Sequence, residues 1–221
     1  MSAQREAPSR RTRERDLVAA TRALFDERGM QEAHVEEIAK AAGIARGLLY
    51  RHFSSKEELY VLTVTDYLDE VAGLLEEAVE GDDPPTLRLE RCTEAFARYC
   101  QRYPAFLDSS QALMRRPARE LSEIVSESVW LRLGQSMARC LECVARVLRA
   151  GAETGEFDVS DADYMANVLW TQALGVMHLA RIRAGVREVA PGAPALFRIT
   201  PDMVIESCVR GALLLVAARP H

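Results

Sequence analysis

Apolar residues recur at three- and four-residue spacing along most of the 221-residue chain, the period of an amphipathic helix. Leu17, Thr21, Leu24 and Phe25 make one inward stripe over residues 12–28, and Gly29 stops it. Val35, Ile38, Ala39 and Ala42 make a second, shorter one, and Gly43 supplies the positive φ that ends it. Leu49 and Phe53 then point inward at i and i+4 from a third short helix. Ser55, followed by Glu58, is a capping box for a long helix over about residues 55–80. The loop Gly81-Asp82-Asp83-Pro84-Pro85 closes it.

Further helices are predicted over about residues 86–102, from Pro104 to about residue 114, and over 118–153 with a weak point near Ser126. Ser160 reads as the cap of a helix over about 161–184, and a loop carrying Pro191, Gly192 and Pro194 follows. Thr200-Pro201 opens the last helix, a capping residue with proline in the first helical position. No stretch alternates with period two for long enough to argue a sheet. The expectation is an all-α chain of about nine helices.

The second and third helices carry the strongest functional signal. A tight glycine turn joins them, and the outer face of the third shows Arg46, Gly47, Leu48, Tyr50, Arg51 and His52. A cationic, aromatic short helix after such a turn describes a helix-turn-helix, whose second helix enters the DNA major groove. Arg46 begins that helix, where its fork suits a guanine O6/N7 pair; Gly47 lets the backbone approach; Leu48 suits a thymine methyl.

From about residue 15 to 62 the chain resembles the DNA-binding domain of the tetracycline-repressor (TetR) family of bacterial regulators. The matching residues are Ala19-Ala20, Leu24-Phe25, Gly29, Val35, Ile38-Ala39, Ala42-Gly43, Gly47, Leu49-Tyr50, His52-Phe53 and Ser55-Lys56-Glu57. The resemblance implies that Tyr50, His52 and Lys56 grip phosphates. Two positions depart from the family pattern: His34 and Ala45 stand where a hydroxyl usually caps the second and third helices. A lost hydroxyl cap costs on the order of 1 kcal/mol, so the third helix is expected to fray without DNA. His34 reads either as an exposed loop residue or as a phosphate donor.

Net charge changes the picture only when divided. The whole chain is −5, yet residues 1–56 hold eleven Lys+Arg against eight Asp+Glu, and residues 57–221 hold seventeen against twenty-five. Positive charge collects at the motif and in an N-terminal arm with five arginines in its first sixteen residues. The expected domains are 1–56, a three-helix DNA-binding head, and 57–221, a helical effector-binding and dimerisation body. No apolar run is long enough to span a bilayer, and the expected location is the cytoplasm. Five cysteines without a secretory signal argue against a disulfide framework. Cys140 and Cys143 form a CxxC that reads as buried thiols, with a redox trigger as the other reading.

Residues about 161–184 and 201–218 are apolar nearly all round, which asks for cover on two sides. A homodimer through these two helices supplies it, and the resemblance implies the same pairing. No GxSxG, HExxH, P-loop or GxGxxG occurs, and neither an enzyme nor a metal or cofactor is expected. The body offers aromatics and thioethers instead: Phe96, Tyr99, Phe106, Met114, Trp130, Met137, Trp170 and Met177, with His178 as a polar anchor. By resemblance they enclose a pocket for a small, largely apolar effector. The expected function is a dimeric repressor released by that effector from a palindromic double-stranded DNA operator. The other reading is a helical binding or enzymatic protein that keeps the head only as a scaffold.

Overall fold

Ten helices account for most of residues 10–29 and 34–218, the part of the chain that the computed structural model describes. They are α1 (Arg10–Arg28), α2 (Val35–Ala41), α3 (Arg46–Leu49), α4 (Lys56–Ala78), α5 (Pro85–Arg102), α6 (Pro104–Met114), α7 (Ala118–Ile124), α8 (Glu127–Thr154), α9 (Ala162–Ile182) and α10 (Pro201–Val216). The basic arm up to residue 9 lies outside the described residues. Two compact units divide the chain: Met1–Tyr67 with Asp108–Gly134, and Leu68–Leu107 with Gln135–His221. The divisions fall inside α4, α6 and α8, so these helices belong in part to each unit.

The first unit is built on the predicted stripes. Leu17, Thr21, Leu24, Phe25, Ile38, Ala39, Leu49 and Phe53 are all buried. The capping box forms with a shift. The Glu58 amide donates to Ser55 Oγ at 3.0 Å, as predicted, but the Glu58 carboxylate accepts from the backbone and hydroxyl of Ser54, each at 2.5 Å. It also accepts from the Ser126 hydroxyl, at the break between α7 and α8. Lower in the unit, Tyr67 donates to Asp26 Oδ1 at 2.6 Å and lies 4.2 Å beneath the Arg22 guanidinium. Burial first, and then the Asp26 carboxylate, push the Tyr67 hydroxyl well above the ordinary tyrosine range.

In the second unit α5, α9 and α10 pack on one another. The buried face of α5 is Leu89, Cys92, Phe96, Ala97, Tyr99 and Cys100. That of α9 is Ala166, Leu169, Trp170, Ala173, Leu174 and Met177. On α10 it is Val204, Ile205, Cys208, Ala212 and Val216. Thr200 caps α10 as predicted, accepting from the Met203 amide at 3.3 Å. Asp161, rather than Ser160, caps α9, accepting from the Tyr164 amide at 2.9 Å.

The weak point expected near Ser126 in the stretch 118–153 is a full break, because Val125 is extended (φ −117°, ψ 157°) and Ser126 turns its hydroxyl to Glu58. One expectation needs correction: the all-α fold carries one antiparallel hairpin, β1 (Ala184–Ala190) and β2 (Ala193–Arg198), where a loop was expected. Pro191 and Pro194 suggested a loop because proline lacks a ladder donor, but in a two-stranded ribbon each strand keeps an outer edge where none is needed. Gly185 faces Phe197 across the hairpin, and a Cβ there would lie 2.3 Å from the Phe197 ring. Glycine leaves the space in which the far edge of that ring lies over the strand.

Candidate functional site

The turn between α2 and α3 is a Schellman motif. The Gly43 amide reaches the Lys40 carbonyl at 3.1 Å, and the Ile44 amide reaches the Ala39 carbonyl at 2.9 Å. Gly43 has φ +66°, the left-handed conformation this arrangement needs. With Leu49 and Phe53 anchored in the core, the opposite face of α3 is set outward.

On that face Arg46, Gly47, Tyr50 and Arg51 are exposed, while Leu48 and His52 are half-buried. Lys56, at the first position of α4, holds its ammonium 4.8 Å from the Tyr60 ring centre, and His34 is exposed at the N-cap of α2. The structure thus brings Arg46, Gly47, Leu48, Tyr50, Arg51 and His52 onto one short helix and its following turn. His52 Nδ1 is buried with no hydrogen-bond partner, which leaves Nε2 as the ring atom able to donate outward.

Neither His34 nor Ala45 makes a side-chain cap, and α3 is only four residues long. One partner of the recognition helix was not anticipated. Glu36 accepts from Arg46 Nη1 at 2.6 Å, with both side chains more than half exposed. The Arg46 guanidinium also lies 5.9 Å from the Tyr50 ring centre, so Glu36 and Tyr50 together hold it.

In the second unit a cavity of about 30 Å³ is lined by α5, α9 and α10, with Leu75 of α4 and Val144 of α8. Of the residues expected there, Phe96 and Trp170 line it, with ring centres 4.6 Å apart. Tyr99 and Phe106 stand behind them; Phe106 meets both Phe96 and Tyr99 edge to face, at 6.2 and 5.3 Å. Met177 is buried on the same face of α9 but borders a separate pocket. Met137 is half-buried and does not line the cavity. Met114 is exposed, Trp130 is half-buried, and both belong to the first unit. His178 is exposed and lines neither pocket.

The polar groups at the cavity are Thr93 and Gln172 with the thiols of Cys92 and Cys208, none of which the aromatic pattern signalled. All five cysteines are buried and free. Burial pushes the Cys92 and Cys140 thiols up to about 12 and that of Cys208 to about 11, and raises Cys143 and Cys100 as well. Burial disfavours the reactive thiolate form at both positions of the CxxC.

The cavity has room for about one water, whereas occupied ligand sites run to roughly 300–1,000 Å³, so any ligand of that size would have to open it. Among the described residues no helix is long and apolar enough to cross a membrane.

Residues 17–62 match the family model for bacterial regulatory proteins of the tetR family. A transcriptional repressor named KstR2 from Rhodococcus jostii is 32% identical over 154 residues, covering 70% of each chain. The solved structure of the ketosteroid regulator KstR2 of Mycobacterium tuberculosis aligns with a TM-score of 0.61 at 22% identity, over 97% of this chain and 98% of that one. That of RolR in complex with resorcinol aligns with a TM-score of 0.68 at 18% identity, over 95% and 90%.

Proposed function

The chain belongs to the TetR family of bacterial regulatory proteins and is a DNA-binding transcriptional regulator, and from that premise we propose a cytoplasmic dimeric repressor that a small apolar effector releases from a palindromic operator. The observation that carries this reading is the outward face of α3. Arg46, Gly47 and Leu48 would read base edges, while Tyr50, Arg51, His52 and Lys56, with His34 at the edge, would hold phosphates. Residues 1–56 would serve as the DNA-binding head, and 57–221 would sense and pair.

Dimerisation is supported by the apolar surface that α9 and α10 leave uncovered: Leu179, Ile182, Met203, Leu214 and Leu215 are all exposed. An isologous pairing would cover it and set two recognition helices for two half-sites, about 34 Å or a multiple apart. RolR with resorcinol supports an aromatic or apolar effector, as do Phe96 and Trp170 in the cavity wall. The signal would travel along α4, one unbroken helix from Lys56 beside the head to Leu75 at the cavity. The relatives' names support regulation over a catalytic use of the body.

The test is fluorescence anisotropy with duplex DNA from around the protein's own gene. With roughly six to ten phosphate contacts per dimer, the slope of log K against log salt is expected between about −5 and −9. A slope near zero refutes the reading.

A further inference from the structure

The hairpin between α9 and α10 turns an apolar face to solvent. Val186 and Leu196 stand directly opposite each other in the β1–β2 register, and they are 69% and 74% exposed. Val189, at the irregularity near the turn, is exposed as well. A two-stranded ribbon by itself is at best marginally stable in water and needs a surface packed on its apolar face. Its own chain leaves that face bare. The hairpin is also basic. Arg183 at its base, Arg187 and Arg198 stand against one acid, Glu188, whose carboxylate turns back to accept from the Gly192 amide at 2.6 Å.

The same unit holds a groove of about 730 Å³ between α5 and α10 that offers the complement. Ile205, Val209, Leu213 and Leu214 form an apolar strip along it. Its borders carry four acids, Glu90 and Glu94 on α5 and Asp202 and Glu206 on α10, against two bases, Arg98 and Arg210. Each base pairs with an acid of its own helix: Arg98 with Glu94 at 2.6 Å, and Arg210 with Glu206 at 3.5 Å. Negative charge is therefore in excess along the groove. An aliphatic pair flanked by arginines matches an aliphatic strip flanked by carboxylates.

We infer that the hairpin of each protomer lies in the α5–α10 groove of its partner, as an exchanged arm. The occupant is a second copy of this chain because the hairpin joins the end of α9 to the start of α10, the two helices proposed to pair. A pairing through those helices carries the arm to the other protomer's α10. The contact is isologous, made twice and closed by the two-fold axis. Val186 and Leu196 cover the apolar strip, and Arg198, on the same face as Leu196, comes to the acidic border. The inference rests on the reading of the chain as a dimer and adds the hairpin and α5 to its interface.

Disulfide trapping in the full chain tests it. Leu196→Cys places a thiol on the arm and Leu213→Cys places one in the groove; the five native cysteines are buried, and the parent chain is the control. Under mild oxidation the double variant should run as a covalent dimer of twice 24.6 kDa on a non-reducing denaturing gel, and neither single variant should. Independently, Val186→Thr with Leu196→Thr keeps the strand preference of both positions but removes their aliphatic surface. That variant should raise the dimer dissociation constant at least about tenfold, because each arm loses two apolar contacts. A covalent dimer from Leu196→Cys alone shows that the two arms meet each other, and overturns the inference. A cysteine pair that is dimeric by light scattering yet gives no covalent dimer also overturns it and leaves the dimer reading standing. Dimer affinity unchanged by the threonine pair has the same two consequences. A parent chain of 24.6 kDa by light scattering removes the dimer reading and the arm with it.

Discussion

Glu36 on α2 accepts a hydrogen bond from Arg46 on α3 at 2.6 Å, so a carboxylate occupies the fork assigned to a guanine edge. The pair is more than half exposed on both sides, and such pairs contribute under about 1 kcal/mol to stability. In the proposed DNA complex the carboxylate would repel phosphate and hold the arginine back.

Replacing Glu36 by Gln should therefore tighten operator binding by about three- to tenfold at low salt, with the gain shrinking as salt screens it. The unfolding free energy should stay within about 0.5 kcal/mol of the parent's. Anisotropy titrations at two salt concentrations check this; weaker binding would mean that the pair positions Arg46 for its base.

Ala45 precedes a helix of four residues and makes no side-chain cap. Ala45→Ser adds an oxygen that the amides of the next turn can use, stabilising the head by about 1 kcal/mol. Part of that gain should appear as tighter operator binding, because less of α3 remains to be ordered on DNA. Amide hydrogen exchange across residues 46–49, which should slow in the variant, is the direct measurement.

Glu58 is a pH-linked tie between the start of α4 and the break before α8. Burial alone would raise its carboxyl, but donors from Ser126 and Ser54 outweigh that and hold it below the ordinary value near 4.5. A depressed folded value means that the stabilisation is full above the unfolded value and is lost as pH falls through the folded one. Glu58→Gln should cost about 1–3 kcal/mol at neutral pH, since donors lose their charged acceptor. The gap between parent and variant should narrow in urea unfolding at about pH 3.5. A gap that does not change with pH would show that the carboxylate is not the tie.

Leu214 on α10 is 71% exposed within one chain. Leu214→Glu should leave the monomer folded, because solvent already surrounds that site, yet place an unpaired charge in the proposed dimer. Light scattering should fall from about twice 24.6 kDa to 24.6 kDa, and affinity for a two-half-site operator should drop with it. A variant that remains dimeric removes α10 from the interface.

The amino-acid sequence by itself determined the features whose causes are local. Helix α2 is written in the spacing of Val35, Ile38 and Ala39, its stop in Gly43, and the outward face of α3 follows once Leu49 and Phe53 are taken as core. The cap at Thr200 is local as well. Tertiary structure alone decided matters where a local pattern is degenerate. Helix α9 is apolar on nearly every side, so periodicity could not choose which side turns inward; packing put Trp170 and Met177 inside and left Leu179 exposed. His178 follows Met177 by one residue, about 100° around the helix, and therefore faces out. The hairpin was hidden because residues 186–192 are all exposed, and without a buried face no alternation is imposed on them. Contacts between elements were hidden for another reason: Glu36 meets Arg46 only through the angle that the turn sets between two consecutive helices, and Ser126 meets Glu58 only because segments distant in sequence pack side by side.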